Sequence, residues 1–211
     1  MKKITYIIIS VVITTMIMGI PFPTYAQSKP LFSETYPSEQ IFSALDEDDP
    51  AFRILDRSGS SPESALLGTC EEKQAAFLME HLQKASIHQH FPDNTVFAWG
   101  HPNPDGKRRL YALKKGLQEN IPTTADVQSV SIQEGRNPGT FELLLDFNNK
   151  GKEQWANLTR NNVGRDIAIV VEDKVVSAPK VQQEIKFGKC MISGNFSKDE
   201  ALKMKASLLK K

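Results

Sequence analysis

The stretch Phe141-Glu142-Leu143-Leu144-Leu145-Asp146-Phe147-Asn148-Asn149 opens the part of the chain that decides the fold. Phe141, Leu143, Leu145 and Phe147 project to one side and Glu142 and Asp146 to the other, the period of a half-buried strand. Asn148 and Asn149 break that alternation. Lys150 to Asn162 then predicts a helix with Trp155, Ala156 and Leu158 turned inward, and Gly164 just past its end suits a left-handed cap. Ile167-Ala168-Ile169-Val170-Val171 is a continuous apolar run, as in a strand covered on both faces. Glu172-Asp173-Lys174 turns the chain into a short strand, Val175-Val176-Ser177-Ala178, stopped by Pro179. A further strand at Cys190-Met191-Ile192-Ser193 passes through Gly194-Asn195-Phe196 into a closing helix. Ser197 and Glu200 have the spacing of a capping box at its start. The pattern predicts an α+β fold, a mixed or antiparallel sheet with helices around Glu71–Ala85, Lys150–Asn162 and Lys198–Leu209.

Upstream, three regions separate. Residues 1–26 begin with Lys2 and Lys3, continue through an uncharged apolar run and end in Thr24-Tyr25-Ala26. They are expected to be a signal peptide cleaved after Ala26, with an uncleaved anchor as the alternative. No later segment is apolar enough to span a bilayer. Residues 27–64 are punctuated by Pro30, Pro37, Pro50 and Pro62 and carry the acidic run Asp46-Glu47-Asp48-Asp49, which reads as a solvated helix end. They predict a loosely ordered arm or linker whose short apolar patches dock on a domain over 65–211. Within that domain Ala65 to Gly68 suits a strand and Thr69 an N-cap. Ala75, Ala76, Leu78, Met79, Leu82 and Ala85 fall at helical spacing, and Val96-Phe97-Ala98-Trp99, Leu110-Tyr111-Ala112-Leu113 and Val127 to Ile132 read as strands.

Charge excludes one class of partner. Residues 27–109 carry 8 basic and 13 acidic side chains, and residues 110–211 carry 16 and 12. The split is mild, with no clustered basic face interleaved with stacking aromatics, so nucleic acid is not expected as a ligand. Catalytic constellations are missing as well. Ser177, Ser193 and Ser197 lack a nucleophile elbow, and no histidine lies beyond His101 to act as their base. His81, His88, His90 and His101 are close in sequence, but His88 and His90 alone fall short of a three-ligand metal site. The expectation is a protein without enzymatic activity, cofactor or metal. Cys70 and Cys190 are the only cysteines. An exported chain could join them in a disulfide, and two buried free thiols are the alternative, since Cys packs as a small hydrophobe. Spacing does not choose between them.

In order and spacing, several pieces of the C-terminal half resemble one family. They are Phe147-Asn148 with Gly151, Leu158-Thr159-Arg160-Asn161, Val163-Gly164-Arg165, Ala168-Ile169-Val170, Val175 to Pro179, Ile185, Gly188, Ile192 to Phe196 and Glu200-Ala201. The family is the head subdomain of the first periplasmic domain of SecD and SecDF, membrane components that assist protein export. A fainter likeness to fused SecDF runs through Ile41 to Leu45, Ala65 to Gly68 and Phe91 to Trp99. The resemblance implies an exported, periplasmic or envelope-associated module that binds unfolded or exported polypeptide, or an envelope protein. A structural or assembly domain without a client is the alternative. Asn148, Gly164, Arg165, Pro179, Gly194 and Asn195 look like turn, cap and strand-end positions in this likeness, not binding residues.

Overall fold

The computed structural model describes residues 29–101, 105–115 and 120–210. The apolar leader and its expected cleavage after Ala26 lie outside the described residues. In chain order the elements are β1 (Phe32–Glu34), α1 (Ser38–Phe42), α2 (Pro50–Ile54), β2 (Leu66–Glu71), α3 (Glu72–Gln83), α4 (Ala85–His88), β3 (Thr95–Trp99) and β4 (Lys107–Lys114). They continue with β5 (Val127–Glu134), β6 (Phe141–Phe147), α5 (Asn149–Asn161), β7 (Ile167–Val171), β8 (Lys174–Ser177), β9 (Lys189–Phe196) and α6 (Lys198–Leu208). The fold is α+β, and its strands form three antiparallel sheets ordered β1-β7-β8, β2-β4-β3 and β5-β6-β9.

Alternating strands need a partner layer for their apolar faces, and the helices supply it. Leu143, Leu145, Val130, Cys190 and Ile192 meet Ile167, Ile169 and Val171, with Trp155 and Leu158 of α5 and Ala201, Met204 and Leu208 of α6 closing that core. A second core gathers Leu67, Cys70, Phe97 and Leu110 against Ala75, Leu78 and Leu82 of α3 and the residues of α1 and α2. Ala65, Tyr111, Leu113, Ala168 and Val175 pack where the sheets meet.

Residues 29–64 are not the loose arm that their prolines suggest. Leu31 and Phe32 are buried in the first core, and Ile41, Phe42 and Leu55 in the second. β1 pairs with β7, matching Phe32 to Ile169. The Val170 N–H donates to the Leu31 carbonyl at 2.8 Å and the Tyr36 N–H to the Ala112 carbonyl at 3.0 Å. Burial of a few apolar side chains outweighs the local disorder that proline and serine favour.

The acidic run is a solvated helix end at Asp46, Glu47 and Asp48, as expected, but not at Asp49. Asp49 is buried, caps α2 by accepting from the Ala51 N–H at 2.8 Å, and has both carboxylate oxygens 2.9–3.1 Å from His81 Nε2. The orphan N–H of a short helix and a buried imidazole together need such an acceptor. Thr69 is likewise not a cap. It is paired in the sheet, β2 runs on to Glu71, and Glu71 forms the capping box with Gln74. Ala76 and Ala85 face solvent, and His81 takes an inward position on α3 instead. The β7–β8 turn is tight, with Glu172 and Asp173 both at positive φ (52° and 63°), the backbone shape that matches strand twist in a two-residue hairpin.

Candidate functional site

The positions singled out in the C-terminal half turn out to be joints. Asn148 caps α5 through its Oδ1, which accepts from the Gly151 N–H at 2.8 Å. Gly151 itself is pressed on Asp126, and an added Cβ would come within 2.8 Å of the Asp126 Cβ. The buried Thr159 hydroxyl donates to the Trp155 carbonyl at 2.8 Å and accepts from the Ile185 N–H at 2.9 Å, tying α5 to the loop before β9. Arg160 pairs with Glu184 in that same loop, and the guanidinium holds the Glu184 carboxyl below its ordinary range. Gly164 turns with φ 81°, the Arg165 carbonyl accepts from the Val181 N–H at 2.9 Å, and the Pro179 carbonyl accepts from the Ile167 N–H at 3.1 Å. Gly194 lies over the Phe196 ring, where a Cβ would meet ring carbons at 2.4 Å. Asn195 Oδ1 accepts from Asn137 Nδ2 at 3.0 Å. None of these arrangements presents a nucleophile beside a base.

The histidines are dispersed. His81 is taken by Asp49, His88 Nε2 lies 3.2 Å from the Thr95 carbonyl, and His101 Nε2 is 3.8 Å from Glu200 Oε1. Among the described residues no three His, Cys, Asp or Glu side chains are grouped as metal ligands. Cys70 and Cys190 belong to different cores, and both are free and buried, so the disulfide is not formed. Complete burial pushes the Cys190 thiol up to about 12, and burial raises that of Cys70 as well. Thiolate is the reactive form. A thiol reagent is therefore expected to label neither cysteine in the native chain and both after denaturation without reductant. Fewer than two labelled thiols in denaturant would show a bond in solution.

What remains open to a partner is sheet edge. An unpaired edge strand displays N–H and C=O groups to any extended chain. Most edges here are closed. Asp56 exchanges two backbone hydrogen bonds with Thr69 of β2 (2.8 and 2.9 Å), the His101 N–H donates to the Val175 carbonyl of β8 at 2.8 Å, and residues 35–36 carry β1 onto β4. β9 lies against β8, and its Lys189 carbonyl accepts from Trp155 Nε1 at 3.1 Å. β5 is eight residues long and, like β3 and β9, has one strand partner among the described residues. β3 and β9 lie beside β8, whereas β5 has only β6 and the helix α6 as its main neighbours.

Edges are commonly guarded by lysine, proline or a bulge. β5 has neither residue type, and its one irregularity falls at its start, between Val127 and Ser129. From Ser129 on, Val130 and Ile132 turn toward the core while Ser129, Ser131 and Gln133 face solvent. The solvent face of the sheet continues through Leu144 to Met191, which is 48% exposed, and through Asp146 to Lys189, whose Nζ is 3.3 Å from Asp146 Oδ1. At the hairpin end lies a shallow depression of about 330 Å³ lined in part by Arg136, Thr140, Glu142 and Asn195. β5 was legible as a strand from its alternation, but its position at a border was not.

A family model described as SecDF, P1 head subdomain, matches residues 99–210. The protein translocase subunit SecD of Acidaminococcus fermentans is 44% identical over 96 residues, which is 46% of this chain and 23% of that protein. SecD of Sebaldella termitidis is 35% identical over 103 residues, 47% of this chain and 25% of that protein. The chain thus spans about a quarter of the length of these relatives. A solved structure described as a membrane component SecDF that enhances protein export is 17% identical, with a TM-score of 0.43, covering 86% of this chain and 63% of that one.

Proposed function

The chain belongs to the SecDF P1 head subdomain family, and we propose that it is a non-enzymatic, exported module of the periplasm or cell envelope that serves protein export by holding extended polypeptide on the edge of β5. The observation that carries this reading is the unpaired border of an eight-residue strand that holds no lysine or proline and is regular from Ser129 on. Strand addition draws its hydrogen bonds from the backbone, so it accepts many sequences, as a client-binding module requires. A module of this kind takes an accessory part in export. Among the described residues no helix is long and apolar enough to cross a membrane.

Binding is expected to be weak and broad, with Kd between micromolar and millimolar, about 4–8 kcal/mol. Titration of the isotope-labelled chain with a reduced, unfolded exported protein should move the amide signals of Val127 to Glu134 before any others. A short peptide N-methylated at every second residue separates strand addition from side-chain contact. Methylation of the residues facing β5 should abolish the shifts, and methylation of the intervening residues should leave them. Absence of β5 shifts at millimolar peptide, with capture of one folded envelope protein instead, would overturn client binding in favour of an assembly domain.

A further inference from the structure

The border of β5 does not stand alone. α6 packs on the inner face of the sheet against β5 and its neighbours, burying Ala201, Met204 and Leu208. One residue further round the helix runs a second stripe, Lys198, Leu202, Lys205 and Leu209, at the i, i+4, i+7 and i+11 spacing that shares one flank. Leu202 is 49% and Leu209 40% exposed. The opposite flank is committed elsewhere. Its Glu200 lies 3.8 Å from His101, whose N–H is bonded to β8. The Leu202–Leu209 flank is thus the one turned from His101, on a helix whose most extensive strand neighbour is β5.

A strand added to β5 lies about 4.8 Å beyond it. Its alternate side chains then point to the inner side, as Val130 and Ile132 do, and into the space beside that flank. The intervening side chains join Ser129, Ser131 and Gln133 on the solvent face, where polar groups suffice. The stripe offers two leucines with a lysine between them and another lysine at its start. Among the described residues, neither Lys198 nor Lys205 has a carboxylate partner at ion-pair distance.

We infer that the edge of β5 and the Lys198–Leu209 flank of α6 form one groove for an extended segment of a client polypeptide, with apolar side chains on either side of an acidic one at alternate positions. This rests on the β5 reading and assigns the class of segment it prefers. A second copy of this chain fits the groove poorly. Pairing of two β5 edges about a two-fold axis would bring the Lys198 and Lys205 stripes of both copies together, and like charges in contact repel.

Three acetylated, amidated peptides test the assignment on the full chain. The first is centred on Leu-Thr-Glu-Thr-Leu, the second replaces Glu by Lys, and the third replaces both Leu by Ser. The first should shift β5 amides together with the methyl groups of Leu202 and Leu209. The second should bind about fivefold more weakly, the scale of one exposed ion pair. The third should leave the two methyl signals unmoved. In Lys205→Glu the order of the first two peptides should invert, and since residue 205 is a partly exposed helix position, folding is checked by the unchanged spectrum of the second core. Equal shifts of β5 amides by all three peptides would overturn the assigned class while leaving strand addition standing. No β5 shift with any peptide would overturn both. β5 signals that move with protein concentration alone would place a second copy in the groove and overturn the assignment to a client.

Discussion

Phe32→Ala is expected to destabilise the chain by about 3–5 kcal/mol, the range for removing a fully buried aromatic side chain. Phe32 is 1% exposed, its ring centroid lies 4.4 Å from that of Trp155 and 5.9 Å from that of Phe147, and its backbone is paired with Ile169. The ring thus fills the space between the β1-β7-β8 sheet and α5. The surrounding residues belong to three separate elements held by their own backbone hydrogen bonds, so they can close only part of the cavity. Urea unfolding followed by circular dichroism measures the effect. A loss under about 1 kcal/mol, the range of ordinary surface changes, would mean that residues 29–36 dock as a reversible arm after all.

Trp155→Ala is expected to cost a similar ~3–5 kcal/mol from the other side of the same contact. Trp155 is 4% exposed, and its indole N–H donates to the Lys189 carbonyl at 3.1 Å. Truncation therefore opens a cavity and leaves the carbonyl at the start of β9 short of a donor, which adds a desolvation penalty to the packing loss. Because the two rings touch, the double variant should lose less than the sum of the single losses. Strict additivity would show that the two side chains do not share a cavity. A near-neutral Trp155→Ala would show that α5 presents its other face to the core.

Much of this was readable from local signals. The alternation at Phe141 to Phe147, the apolar run at Ile167 to Val171 and the capping box of Ser197 with Glu200 each obey short-range rules, and each appears within a residue or two of its expected place. The matched family span likewise begins at residue 99, in the half of the chain where those signals are densest. Thr69 misled because a threonine before two glutamates makes a good cap in isolation. In the fold its backbone is claimed by Asp56 and Arg109 from distant parts of the chain. Asp49 misled in the same way, since an acidic run is solvated unless a histidine thirty-two residues away is packed against it.

Fold class, family and the order of the strands and of the three long helices after residue 65 were all present in local sequence, whereas the short α4 was not. Those follow from side-chain periodicity, capping and turn chemistry, which act over a few residues. Long-range packing placed residues 29–64 in the cores, put Cys70 and Cys190 in different ones, and left β5 at the border of its sheet next to α6. These depend on which strands become neighbours. Strand neighbours are chosen by the burial of apolar faces across long loops, and a period-2 pattern reads the same at a border as at a centre.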